Sequence, residues 1–158
     1  MRILFIRHAQ AVEADQFDGD DLDRPLTPEG RKRFKRVADA VATVYPRPDR
    51  LVSSRAERAC RTAEVLALAF GLKTWEEREE LNPGASVAAI KAVLEERADA
   101  EWVMVVGHEP DFSGAVSALT GGGRLRMKLR KGGVAEVEWT PRGLGRLRAL
   151  LDPARLQP

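Results

Sequence analysis

Ile3–Ile6 is an uninterrupted apolar run that stops at Arg7-His8. This is the pattern of a buried strand whose carboxyl end hands those two residues to a loop. Glu13 to Arg24 is acidic and aperiodic, which predicts a surface loop. Thr27 then reads as the cap of a helix with Pro28 at its first position, and Phe34, Val37, Ala38, Val41 and Val44 share one face before Pro46 and Pro48 stop it. Leu51-Val52 predicts a short strand. Ser53 or Ser54 can cap a second helix marked by Ala59, Ala63, Leu66, Ala67 and Phe70 and closed by Gly71. Ser86 opens a third helix through Ile90, Val93, Leu94 and Arg97, and Trp102–Val106 is a second buried strand, followed directly by Gly107-His108-Glu109-Pro110. Phe112, Ala115, Val116 and Leu119 mark a fourth helix, ended by Gly121 to Gly123.

Beyond the glycines the period changes. Leu125, Met127 and Leu129 alternate with Arg124, Arg126, Lys128 and Arg130, and Val134–Trp139 and Arg146–Leu151 also suit strands. Strand–helix alternation followed by strands predicts an α/β fold: a three-layer α/β/α sandwich whose central sheet is mostly parallel, with at least one antiparallel strand contributed late. No repeat or second domain interrupts residues 1–158, a length suited to one core.

Composition narrows the function classes. Twenty-six basic against 24 acidic side chains give a formal charge of +2, which makes no global case for nucleic acid or an anionic membrane. The apolar runs are too short for a signal core or a membrane span, so a cytoplasmic location is expected. One cysteine, Cys60, excludes an intrachain disulfide and a cysteine-rich zinc site.

Only two histidines exist, His8 and His108, and each lies just past the carboxyl end of a predicted buried strand, where open α/β sheets place their ligand crevices. Taken singly, each could be a surface histidine in a turn. Together with Arg7, beside His8, and Arg58, at the start of the second helix where free amides and the dipole favour an anion, they point to a phosphoryl site. A neutral imidazole can attack phosphorus, and cationic neighbours favour the neutral form. His8 is therefore read as nucleophile and His108 as a donor to developing charge. Rival chemistries fail. Residue 66, six positions after Cys60, is Leu rather than the Arg of a Cys-x5-Arg loop; Asp18-Gly19-Asp20-Asp21 follows no apolar strand; no Walker-type loop occurs; and His108 with Asp111 is a poor metal set.

Arg7-His8-Ala9, Arg24-Pro25-Leu26-Thr27, Ser53-Ser54 through Arg58-Ala59 and Thr62-Ala63-Glu64, and Gly107-His108-Glu109-Pro110 resemble, in order, the motifs of the histidine phosphatase superfamily and of its short SixA-type branch, the phosphohistidine phosphatases. Lys131-Gly132-Gly133 and Leu150-Leu151-Asp152-Pro153 extend the likeness over nearly the whole chain. The resemblance implies a phosphoglycerate-mutase-like fold and a metal-independent, cofactor-free phosphatase. In it His8 accepts the phosphoryl group, Arg7 and Arg58 are phosphate ligands with Arg24 as a further substrate contact, and His108 is the second essential histidine. Three positions depart from the pattern: Ala9 for a glycine, Arg55 for a proline and Arg61 for a glutamine. Ala9 makes a left-handed backbone there unfavourable, and Arg55 and Arg61 fall at exposed helix positions. Larger relatives place a glutamate after the second helix as proton donor; the candidates here are Glu76, Glu77, Glu79 and Glu80, of which Glu80 is favoured.

The four motifs of the resemblance and the absence of a cap domain set the expected substrate, and a missing or poorly placed acid would point the same way. An alkoxide needs a strong general acid, a phosphorylated histidine much less, and without a cap domain an open pocket could accept a histidine displayed on another protein. A phosphohistidine-bearing protein is thus the expected partner, with small phosphoesters or polyphosphate as the alternative. A third reading makes Arg124, Arg126, Lys128 and Arg130 a basic strand that holds nucleic acid or an acidic partner. Alternating cations more often protect a sheet edge, and no aromatics interleave for base stacking.

Overall fold

Two apolar runs at the middle of one sheet account for the architecture. The computed structural model of the chain describes residues 1–155, so the last three residues of the expected 1–158 domain lie outside the described residues. Ten elements follow in order: β1 (Arg2–Arg7), α1 (Pro28–Val44), β2 (Arg50–Ser54), α2 (Glu57–Phe70), β3 (Glu76–Arg78), α3 (Val87–Glu95), β4 (Trp102–Gly107), α4 (Asp111–Gly121), β5 (Val134–Glu138) and β6 (Arg146–Leu151). The strands form one sheet in the order β3-β2-β4-β1-β5-β6. β1, β2, β3 and β4 are parallel, and β5 runs antiparallel to both β1 and β6.

Strand alternation divides the core. Ile3 and Phe5 join Val103 and Val105 under α3 and α4, whereas Leu4 and Ile6 join Met104 and Val106 under α1 and α2. Both faces of β1 and β4 are therefore covered, which is why these strands read as continuous apolar runs and not as alternating ones. Helix ends follow the sequence signals: Thr27 Oγ1 accepts from the Gly30 amide, Ser86 caps α3, and Gly71 closes α2 at φ 64°.

Three expectations are corrected. Residues 124–130 form no strand. Leu129 is buried and Met127 packs on the α3–α4 core, but the segment takes no place in the sheet and runs as an extended strap from the end of α4 back to the site. Neither Ser53 nor Ser54 is the cap of α2. Both lie in β2, the cap position is Ala56 without a side-chain bond, and Ser54 is used elsewhere. Finally, the glutamate segment expected to follow α2 contains a short edge strand, β3, paired with β2 from Val52↔Glu76 to Ser54↔Arg78.

Candidate active site

The β1–β4 register ends at Arg7↔Gly107, so the next residue of each strand, His8 and His108, emerges at the same place. The His8 amide donates to the Gly107 carbonyl at 3.0 Å, and the two rings face each other with centroids 5.2 Å apart, tilted by 51°. Gly107 lets Phe112 of α4 pack directly on this strand end, because an added Cβ would stand 2.5 Å from the Phe112 ring. From the other side the Gly132 amide donates to the carbonyls of both Arg7 and His8, and at φ 76° residue 132 favours glycine. Ala9 lies outside the left-handed region. Its amide donates to Thr62 Oγ1, whose hydroxyl donates to the Arg58 carbonyl, so the loop after β1 is tied to α2.

The proton positions follow from the partners. His8 Nδ1 lies 2.7 Å from the Ala9 carbonyl. A carbonyl only accepts, so Nδ1 carries the proton and neutral His8 has its lone pair on Nε2. His108 Nε2 lies 2.8 Å from Ser54 Oγ. That hydroxyl donates its single proton to Asn82 Oδ1 and accepts from the Ala56 amide, while Asn82 Oδ1 is identified as oxygen by the Arg55 amide that donates to it. Ser54 can therefore only accept from His108. Nε2 carries the proton, and Nδ1 of the neutral ring is bare.

Both imidazoles are kept neutral. Burial, then His108, Arg58 and Arg7, hold His8 well below the ordinary histidine value; burial, then Arg58 and Arg7, pull His108 down to about 3. The unfolded chain binds protons as pH falls through about 6.5, whereas the folded chain refuses them, so burial of these rings costs stability below that pH and nothing above it. Urea unfolding between pH 6.5 and 5 should show stability falling by up to about 1.4 kcal/mol per pH unit per histidine. The fall should be clearly shallower in a His8→Gln/His108→Gln variant; an unchanged slope would assign it to other groups.

Arg58 is 3% exposed. Its Nη1 donates to the Asp21 carbonyl at 2.7 Å and its Nη2 to the Asp21 carboxylate at 2.9 Å. Arg24 holds the same carboxylate through Nε at 3.0 Å and the Val12 carbonyl through Nη1. Arg7 Nη1 donates to the Leu129 carbonyl. The buried Nε atoms of Arg7 and Arg58 have no hydrogen-bond partner among the described residues, and a group with several acceptor oxygens suits such donors.

Three of the four candidate glutamates are less suited to proton donation. Glu76 pairs with Arg97, Glu79 with Arg55, and Glu80 with Arg78 at 2.8 Å. The Arg78 guanidinium holds the Glu80 carboxyl at about 2, so it is ionised at neutral pH and carries no proton to give. Glu77 lies beside the buried Cys60 thiol, which burial and then this carboxylate push up to about 11, a value unsuited to a thiolate nucleophile. Arg61 pairs with Glu57 and Glu64 on the exposed face of α2. The sequence reading took Ser54 only as a candidate helix cap and as part of a motif, and missed Asn82 and the Asp21 contact with Arg58. Thr62, quoted only as part of a motif, carried a signal in its position four residues after Arg58; Asn82 carried none.

The sequence profile of the histidine phosphatase superfamily (branch 1) matches residues 3–111, a span that includes both histidines and every pocket arginine named above. The chain belongs to the histidine phosphatase superfamily. A superfamily member in which these groups converge has the equipment of a phosphatase. An uncharacterised protein of Picosynechococcus sp. strain PCC 7002 is 32% identical over 156 residues, covering 96% of this chain and 92% of that protein. Among solved structures, the protein histidine phosphatase SixA in complex with tungstate aligns over 99% of this chain and 100% of its own, with a TM-score of 0.89 and 24% identity. A structure from Agrobacterium tumefaciens with the provisional name phosphohistidine phosphatase SixA aligns over 96% and 98%, with a TM-score of 0.82 and 27% identity. The fold is also that of the α-ribazole phosphatase of Shigella flexneri, at a TM-score of 0.78 and 18% identity, with 97% of each chain covered. The SixA-type, three-layer α/β architecture expected from the sequence is thus the one present. No helix of the described residues is long and apolar enough to cross a membrane.

Proposed function

We propose that this chain is a metal-independent phosphatase that works through a phosphohistidine on His8 and removes phosphoryl groups from histidine residues of a signalling protein in the cytoplasm. The observation that carries this reading is the His8 ring, which is held neutral with Nδ1–H on the Ala9 carbonyl and Nε2 unprotonated, 5.2 Å from His108 and near two guanidinium groups. In the first step the Nε2 lone pair bonds to phosphorus while the P–N bond of the substrate breaks, its electron pair staying on the leaving nitrogen. A substrate imidazole protonated on its other nitrogen departs neutral, so a general acid is dispensable. This suits a site in which Glu76, Glu79 and Glu80 are each paired with an arginine. In the second step a water oxygen bonds to phosphorus, the P–Nε2 bond breaks with its pair returning to Nε2, and the water protons stay with the released phosphate.

Arg7 and Arg58 supply fixed positive charge to the equatorial oxygens. A bound dianion offsets the field that depresses His108, so its bare Nδ1 can take up a proton and donate to the phosphoryl group, while Ser54 and Asn82 keep the ring oriented. Arg24 acts on this arrangement through Asp21.

Rapid quenching after mixing with phosphoramidate should trap an acid-labile, base-stable phosphoenzyme, and EDTA should leave turnover unchanged. In a substrate profile, phosphohistidine peptides should exceed phosphoserine and sugar phosphates in kcat/KM. Faster cleavage of a small phosphoester would favour the alternative, to which the fold shared with α-ribazole phosphatase gives weight. An acid-stable label would defeat the histidine intermediate.

A further inference from the structure

The strap at residues 124–130 holds Arg7 through the Leu129 carbonyl, but its four cationic side chains have no role in the chemistry described so far. Its alternating cations would be explained if they shielded a sheet edge, but the segment belongs to no sheet, and the edge strands are β3 and β6. Arg124, Arg126, Lys128 and Arg130 are nonetheless all exposed, and the first three have no ion pair among the described residues. Alternate residues of extended chain recur at about 7 Å, so the four charges span about 20 Å. This row ends at the site, because the Leu129 carbonyl accepts from Arg7 and the Gly132 amide donates to the His8 carbonyl.

Where the strap meets α1 a groove of about 800 Å³ opens, with Arg7, Arg33, Lys128, Arg130 and Lys131 on its walls against one carboxylate, Asp152. Three of those cations hold acids at the surface: Arg33 with Glu29, Arg130 with Asp152 and Lys131 with Glu13. Such exposed pairs are weak and exchange readily for a partner's carboxylates. Between the charges the surface is apolar: Leu125 is 36% exposed, Met127 is half-buried, and Phe34 and Pro153 line the groove. An inorganic polyanion gains nothing from such a floor, and single-stranded nucleic acid binds by stacking on exposed aromatics, whereas Phe34 is 2% exposed.

We infer that the strap and the adjoining groove form a docking surface for an acidic, partly apolar polypeptide segment next to the phosphorylated residue of a protein substrate, and so select that substrate by charge. The inference rests on the protein-phosphatase reading above for its substrate, but not for the binding surface itself. Rim charges of this kind act on encounter and on KM, and their effect is screened by salt.

The test uses synthetic peptides with a single histidine, phosphorylated by phosphoramidate, flanked by glutamates or by glutamines at alternate positions, together with fluorescent, unphosphorylated copies of each. The wild-type protein should favour the acidic phosphopeptide about tenfold in kcat/KM at low salt, through KM, and should bind the unphosphorylated acidic copy by anisotropy. The Arg124→Gln/Arg126→Gln/Lys128→Gln variant should lose most of both effects and keep its turnover of p-nitrophenyl phosphate. Equal treatment of the two peptides by the wild-type protein, or a preference that survives in the variant, would overturn the proposal. So would tighter strap-dependent binding of long-chain polyphosphate or single-stranded DNA than of the acidic peptide. Absence of any phosphohistidine hydrolysis would instead sink the proposed substrate, with the anisotropy still deciding the docking surface.

Discussion

Replacing His8 by alanine is expected to lower kcat on every phosphorylated substrate by about 10⁴- to 10⁶-fold, the scale seen when a covalent nucleophile is removed, and to abolish phosphoenzyme labelling. The loss should be chemical and not structural. His8 is buried but contributes one local hydrogen bond, to the adjacent Ala9 carbonyl, while the loop backbone is held independently by Gly107, Gly132 and Thr62. Far-UV circular dichroism should match the wild type, and Tm should shift by only a few degrees. Label that persists in His8→Ala would remove His8 from the role of acceptor. His108→Ala should still label, but slowly, because it loses a donor to the phosphoryl oxygens and not the atom that forms the bond.

Arg58→Met separates activity from stability. Loss of a fixed donor to transition-state charge should lower kcat/KM by about 10²- to 10³-fold. Arg58→Lys should recover little of this, because an ammonium cannot hold the Asp21 carbonyl, the Asp21 carboxylate and a phosphoryl oxygen from one planar fork. Stability should move the other way or hardly at all. The guanidinium is buried with one nitrogen unpartnered, whereas the Asp21 side chain it leaves behind is 51% exposed and still held by Arg24. A methionine of similar length removes a buried charge and leaves its counter-ion in water, so the penalty of an unpaired buried charge does not arise. Thermal unfolding should place Tm within about 4 °C of the wild type, about 1 kcal/mol for a chain of this size. A large fall in Tm would show that Arg58 serves mainly to anchor the Asp20–Asp23 turn.

The fold was legible where burial is two-sided. Ile3–Ile6 and Trp102–Val106 could be read as central strands because nothing polar interrupts them, and the placement of His8 and His108 followed from that alone. The late antiparallel strand was legible from the pattern of Val134–Trp139 itself. Glu76–Arg78 escaped because an edge strand of three charged residues has no apolar face to announce it. The strap deceived for the opposite reason: residues 125–129 have the period of a strand and bury Leu129, but they have no neighbouring strand to bond. Within the site, residue types pointed to His8, Arg7, Arg58 and His108. The supports were invisible, because Asn82, Ser54 and Asp21 are ordinary loop or strand residues until the chain brings them against an imidazole or a guanidinium. Glu80 shows the limit of spacing arguments, since its character is set by Arg78, two positions away, and not by its distance from the second helix.

The clasp of Gly132 on the carbonyls of Arg7 and His8, together with the seam between β1 and β4, has a consequence for biosynthesis. His8, the proposed phosphoryl acceptor, is translated well before its neighbours on both sides, which follow more than ninety and one hundred and twenty positions later. A nascent chain therefore carries a solvated, ordinary histidine until Gly107 and Gly132 have been made, and that ring becomes buried only when they close around it.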